Sequence, residues 1–244
     1  MTPGRMGAFP RPGVFVPVSA ASGRRLSPDM MPIHFILASG SPRRRELLAL
    51  LNYPFEIVVS GADEDAHLDA EPAAYVAHTA RAKAIAVAGR LSSDPTTRRL
   101  VIAADTTVAL DGAILGKPGT PDEARAMLAR LRGRDHYVHT AVCLVDVAAG
   151  RELNAVHSAT VTMRNYTPAE VEAYIATGDP FDKAGAYAIQ HADFRPVSGL
   201  RGCYPGVVGL PLCDLISMLR ELDVPDRFDP AALVDAHAGH RHTT

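Results

Sequence analysis

The stretch RLVIAADTTVALDG, residues 99–112, constrains the fold of this chain more than any other. It reads as a strand whose apolar run, LVIAA, turns polar at Asp105, resumes, and ends on Asp111-Gly112, a hairpin signal. Strands and helices alternate around it. PIHFILAS (32–39) is a short apolar run bounded by Pro and Gly, a buried strand, and RRRELLALL continues from it as a helix. FEIVVSG reads as a second strand, followed by a long alanine-rich helix from about Pro72 to Gly89. HYVHTAVCLVD and ELNAVHSATVTMRN alternate like paired antiparallel strands, and GVVGLPL leads into a last helix, about Leu212 to Leu222. The expected fold is α/β, a mixed twisted sheet flanked by helices.

Three helix starts repay comparison. TPDEARAMLARLRG opens with Thr120 as cap, Pro121 at the first position and Glu123 at the third, a capping box, and Gly133 ends it. TPAEVEAYIATG repeats the pattern, with Gly178 as its stop. ASGSPRRREL starts equally well, with Ser41 as cap and Pro42 after it, but then sets Arg43, Arg44 and Arg45 against the positive end of the helix dipole. A helix N-terminus reached by a Gly-Ser loop and ringed by guanidinium groups suits a polyanion. Successive helix residues point about 100° apart, so at most two of the arginines face one ligand.

Composition sets the outer bounds. With 244 residues, 47% hydrophobic and 21% charged, the chain has an ordinary globular composition and ample material for a core. Its net charge of -2 leaves no basic excess, so neither nucleic acid nor a membrane is an expected partner, and any anion site must be local. No run of about 18 apolar residues marks a membrane-crossing helix. Cys143, Cys203 and Cys213 are odd in number and lack metal-ligand spacing, which reads as reduced thiols in a cytoplasmic protein. Residues 1–30, rich in Pro, Gly and Ser, read as a disordered N-terminal extension. Residues 31–224 carry the folded domain, and 225–244, with His237, His240 and His242, read as a flexible C-terminal tail.

LASGSPRRRELL, AADTTVALDGAILGKP, DPFDKAGAYAIQ and VVGLPL together resemble the Maf family of nucleoside triphosphate pyrophosphatases, in family order from about residue 33 to 222. The resemblance implies a Maf/ITPase-like two-lobed architecture with a central cleft. It also implies hydrolysis of a nucleoside triphosphate to the monophosphate and pyrophosphate, with a divalent metal, Mg²⁺ or Mn²⁺. A cytoplasmic homodimer with a link to septum formation and cell division belongs to the same implication. The DKAG run before Tyr and Ile-Gln is similar to the branch acting on dTTP and UTP, with modified pyrimidine nucleotides as further candidates. The alternatives are the sister branch acting on 7-methyl-GTP and a non-catalytic nucleotide-binding regulator of division. The second is disfavoured by Asp105, because binding alone needs no carboxylate beside a polyphosphate. No Walker-type loop, and no cysteine nucleophile followed by a phosphate loop and Arg, points to a kinase or phosphatase.

The resemblance assigns roles residue by residue. Asp105, at the polar end of an apolar strand, is the proton acceptor and a metal ligand. Asp63 and Glu64, in SGADED, supply the second acidic cluster of an octahedral metal site. Ser41, Arg43, Arg44, Lys83 and Lys117 are expected on the substrate phosphates. Arg43, Thr106 and Gln190 are the specificity positions, and the Gln190 carboxamide suits the O–N(H)–O edge of uracil or thymine. Asp182 and Lys183 either pair with each other or face the ligand, beside Gly185, which allows close backbone approach. His191 stands where the family commonly has Gly, and Cys203 where it has Ser. Both departures fall on the loop over the base rather than on the phosphate chemistry.

Overall fold

The structure, a computed structural model, describes residues 31–61, 70–92, 94 and 96–238. The N-terminal segment 1–30, Asp63 and Glu64, and His240 and His242 lie outside the described residues. One sheet holds β1 (Ile33–Leu37), β2 (Phe55–Ile57), β3 (Arg98–Leu110), β4 (Ala113–Leu115), β5 (Asp135–Asp146), β6 (Arg151–Met163) and β7 (Val197–Arg201). Their order is β2-β1-β3-β5-β6-β7, with β4 paired to the far end of β3. β1 runs parallel to both neighbours and the other pairs are antiparallel, so the sheet is mixed as expected. The helices are α1 (Pro42–Ala49), α2 (Pro72–Ala88), α3 (Pro121–Leu131), α4 (Pro168–Ala176), α5 (Tyr204–Val208), α6 (Leu212–Glu221) and α7 (Pro230–Ala238).

Alternation along β3 decides what each residue faces. Leu100, Ile102 and Ala104 pack with Leu48 of α1 and Leu215 and Leu219 of α6. Val101 and Ala103 point the other way, against Val76, Ala80 and Ala84 of α2. The alanines let α2 lie close on the sheet. Farther along, Val108, Leu110, Val138 and Val161 pack with Leu128 of α3 and Tyr174 of α4 in a separate cluster. β3, β5 and β6 therefore run through two lobes. Between the lobes the helix cover changes, and Asp105, Thr106 and Thr107 line a cleft.

Four local readings need adjustment. The second strand is only Phe55–Ile57: Val58 still donates its N–H to the Leu37 carbonyl at 3.0 Å, but Val59 has left the sheet and stands exposed at the cleft. The capping box at α3 is half formed. Thr120 accepts the Glu123 N–H at 3.2 Å, while the Glu123 carboxylate accepts from Gly119 at 2.6 Å instead of from Thr120. At α4, Thr167 and Glu170 close the full box. GVVG belongs to a short helix of its own, α5, rather than to a connector.

The fourth is the expected flexible tail, where α7 forms. Asp229 caps it by accepting the Ala231 N–H at 2.9 Å, and Pro230 follows the cap. Phe228 and Leu233 pack against the core, and Tyr53 donates its hydroxyl to the Pro225 carbonyl.

Candidate active site

The cleft between the lobes has a volume of about 830 Å³. All ten of the described residues expected at the site line it: Ser41, Arg43, Arg44, Lys83, Asp105, Thr106, Lys117, Asp182, Lys183 and Gln190. Residues from 41 to 190 thus converge because β3 carries the carboxylate between the two lobes, and each lobe contributes cations from its own side.

Asp105 continues the α2-facing register of Val101 and Ala103, so it meets Lys83 of α2. Lys83 Nζ donates to Asp105 Oδ1 at 2.8 Å, and both side chains are buried. The pair balances a charge that would be costly alone in this setting. Among the described residues Oδ2 has no hydrogen-bond partner. Lys83, expected on a phosphate, is therefore first of all the counter-ion of the carboxylate.

Thr106 faces the opposite side and meets α1. Ser41 caps that helix, accepting the Arg44 N–H at 3.5 Å. The Arg44 guanidinium is held on three sides, by the Gly209 carbonyl at 2.9 Å, Ser39 Oγ at 3.2 Å and Thr106 Oγ1 at 3.3 Å. Thr106 is itself steadied by Thr140, which also donates to the Gly206 carbonyl at 2.8 Å. Arg43 reaches the other lobe, 3.5 Å from Asp182, while Arg45 is exposed and does not line the cleft. The helical spacing separates the three arginines as expected.

Asp182 and Lys183 pair with each other rather than wait for a ligand. Buried Lys183 donates to Asp182 at 2.5 Å, to Asp179 Oδ1 at 2.9 Å and to the Asp179 carbonyl at 2.7 Å. Burial pushes the Asp179 carboxyl up, but hydrogen bonds from Lys183 and Tyr174 and the Lys183 charge bring it below its ordinary value. Lys117 is exposed, on a loop tied down where Gly185 donates its N–H to the Gly116 carbonyl at 3.0 Å. Gly185 sits at φ +70°, and a Cβ there would stand 2.9 Å from Val108 Cγ1. This is the close approach expected of it. Gln190 is exposed on the cleft wall.

The two departures have local explanations. His191 Nδ1 accepts the Phe194 N–H at 3.0 Å, and its ring stands edge-on to Tyr174, roles a glycine lacks. Cys203 caps α5 through its sulfur, which accepts the Gly206 N–H at 3.4 Å, as a serine oxygen would. Ser39, Thr140, Asp179 and the Gly209 carbonyl were not legible as site residues. Only Asp179, four positions before Lys183, carried a spacing signal.

Among the described residues that line the cleft, cations outnumber carboxylates: Arg43, Arg44, Lys83, Lys117 and Lys183 face Asp105 and Asp182. This is a local anion site in a chain of net charge -2. Among the described residues no three His, Cys, Asp or Glu side chains gather to hold a metal. Mg²⁺ is commonly held by one or two carboxylates together with substrate phosphates. The described donors fit a metal that arrives with a polyphosphate, with Asp105 as the protein ligand, and do not make a resident site.

The Maf-like protein family matches residues 34–222. The dTTP/UTP pyrophosphatase of Moorella thermoacetica is 49% identical over 185 residues, 75% of this chain and 92% of that protein. That of Pelotomaculum thermopropionicum is 45% identical over 187 residues, 76% of this chain and 95% of its own length. That of an Anaeromyxobacter species is 45% identical over 203 residues, covering 82% and 94%. A solved nucleoside-triphosphatase / dITP/XTP pyrophosphatase from Mycobacterium abscessus aligns over 77% of this chain and 94% of that one, at 15% identity and TM-score 0.40. With most of its length matched, this chain belongs to the Maf-like protein family.

Proposed function

We propose that the protein is a nucleoside triphosphate pyrophosphatase that hydrolyses dTTP and UTP to the monophosphate and pyrophosphate. The observation that carries this is the convergence of Asp105 with Arg43, Arg44 and Lys117 on one cleft of about 830 Å³, a volume suited to a nucleotide. The relatives' shared name supports the pyrimidine choice, and so does Gln190, whose carboxamide matches the uracil or thymine edge.

Arg44, already locked in place, meets phosphate without first losing side-chain freedom. Arg43 and Lys117 approach from the two lobes and neutralise the rest of the chain of phosphates. Lys83 holds Asp105 by Oδ1, so that Oδ2 orients a water and takes its proton as that water attacks. Mg²⁺ or Mn²⁺ held by Asp105, with Asp63 and Glu64 as the further candidates, would neutralise phosphate charge and acidify water when bound. The proposal includes a cytoplasmic homodimer whose partner is the nucleotide, with no nucleic acid or membrane. Among the described residues no helix is long and apolar enough to cross a membrane.

The test is a panel of triphosphates with Mg²⁺ or Mn²⁺, measuring kcat/KM for pyrophosphate release. UTP and dTTP should lead. A preference for 7-methyl-GTP would move the protein to the sister branch, and nucleotide binding without release from any triphosphate would leave it a regulator.

A further inference from the structure

Thr140 stands directly opposite Thr106 in the antiparallel pairing of β5 with β3, buried behind the cleft rather than lining it. Its hydroxyl lies 3.0 Å from Thr106 Oγ1 and 2.8 Å from the Gly206 carbonyl oxygen of α5. Each hydroxyl has one proton to give, and a carbonyl can only accept. The Thr140 proton therefore goes to Gly206, and the Thr106 proton goes to Thr140. Thr106 Oγ1 in turn accepts from Arg44 Nη2 at 3.3 Å. The donors run one way, from Arg44 through Thr106 and Thr140 to α5. Arg44 Nε reaches the same segment directly, at the Gly209 carbonyl 2.9 Å away, where Gly209 ends α5. The last carbonyls of a helix have no partner within it, and these two find theirs in Thr140 and Arg44. The circuit closes on itself.

We propose that Thr140 is a positioning residue for the nucleotide, which by closing this circuit fixes the aim of Arg44 and keeps Thr106 an acceptor. Hydrogen bonds linked with one polarity strengthen one another in a low-dielectric interior, so the buried end of the chain is felt at the cleft end. Remove the Thr140 hydroxyl, and the Thr106 proton is released to rotate. Turned toward the guanidinium it repels Arg44, and turned toward a phosphate oxygen it competes with Arg44 for the ligand. The Gly206 carbonyl loses its donor in the same step, which loosens α5 where its neighbour Gly209 holds Arg44 Nε. Thr140 itself does not line the cleft, so its influence on a substrate passes through Thr106 and Arg44.

This role rests on the proposed function for its effect on turnover, so binding of α,β-methylene-UTP, whose bridging carbon resists hydrolysis, is measured beside kcat/KM for UTP. A wild-type protein that binds the analogue but leaves UTP intact counts against the proposed function, and the circuit is then read from binding. In the full chain, Thr140→Val should weaken analogue binding by about three- to tenfold, the worth of one hydrogen bond, and lower kcat/KM by a similar factor. Thr140→Ala should do the same. Thr140→Ser keeps the hydroxyl and should stay within about twofold of wild type in both. The decisive reading is the coupling to Arg44. In an Arg44→Ala background Thr140→Val should cost nothing further in binding or turnover, because the group it aims is gone, whereas a merely structural loss would multiply. Three outcomes would overturn the proposal: wild-type affinity and kcat/KM in Thr140→Val, a Thr140→Ser variant as impaired as Thr140→Val, or losses that multiply in the double variant.

Discussion

Lys83 Nζ lies 2.8 Å from Asp105 Oδ1, an ion pair almost wholly withdrawn from water at the point where the two lobes meet. The two partners should respond differently to removal. Asp105→Asn keeps the size of the side chain but cannot take a proton, so kcat should fall by at least about 10²-fold. Lys83→Ala leaves a buried carboxylate without its counter-ion and should cost about 3 kcal/mol of stability as well as activity. Steady-state kinetics at saturating metal and urea unfolding of both variants check this. Normal turnover in Asp105→Asn would remove that residue from the chemistry.

The three arginines at the start of α1 should separate in the same pair of measurements. On dipole grounds alone, removing any of them relieves a small repulsion and leaves the fold sound or slightly more stable. The three hydrogen bonds of Arg44 reverse that expectation for this residue. Arg44→Ala should lose about 1–3 kcal/mol of stability together with roughly 10- to 150-fold in kcat/KM. Arg43→Ala should show a kinetic loss with little change in stability, because its half-buried contact with Asp182 at 3.5 Å is worth under about 1 kcal/mol. Arg45→Ala should change neither. Equal kinetic effects at all three positions would mean that only bulk charge matters.

Gly185→Ala tests the close approach of the lobe's segments. At φ +70° and 2.9 Å from Val108, a methyl group has no room, and the strain should cost about 1–3 kcal/mol. Because the same residue ties down the Lys117 loop through the Gly116 carbonyl, kcat/KM should fall too. Unfolding midpoints and kinetics of the variant, with wild-type values in either, would show the loop to be held by other means.

What could be seen in the sequence was chemistry written in side chains at regular spacing. The polar break at Asp105 in an apolar strand, and the cations after Ser41-Pro42, are of this kind, and Asp105, Arg43 and Arg44 reach the cleft. The anchor of Arg44 is not, because its strongest partner is the carbonyl of Gly209, 165 positions away, and a backbone acceptor leaves no mark in composition. Lys83 was legible as a cation, but its partner depends on the register that points Asp105 at α2, which periodicity alone does not fix to the residue. α7 was missed because it is short, and the apolar side chains that pack on the core there, Leu233 within it and Phe228 just before it, are too few to show a period.

His136 sets a pH limit on the second lobe. It is buried, with Nε2 2.7 Å from the Tyr187 hydroxyl and Nδ1 without a hydrogen-bond partner among the described residues, and burial holds its pKa down to about 4 from 6.5. The folded state thus binds fewer protons than the unfolded state between these values. Stability from this residue is fully present above about pH 6.5 and is lost as pH falls toward 4, by up to about 3 kcal/mol. Urea unfolding between pH 7 and pH 4 should show this slope, and His136→Gln should flatten it. An unchanged slope in the variant would assign the pH dependence to other groups.

The position of bond cleavage is read most directly from the products. The purified protein is incubated with UTP or dTTP and Mg²⁺ or Mn²⁺, and the phosphorus-containing products are separated and identified. Hydrolysis between the α and β phosphates gives UMP or dTMP and pyrophosphate in equal amounts, the result expected from Asp105 set among Arg43, Arg44 and Lys117. Release of orthophosphate with UDP or dTDP would place the cut at the other anhydride and contradict the assignment of this cleft as a pyrophosphatase site.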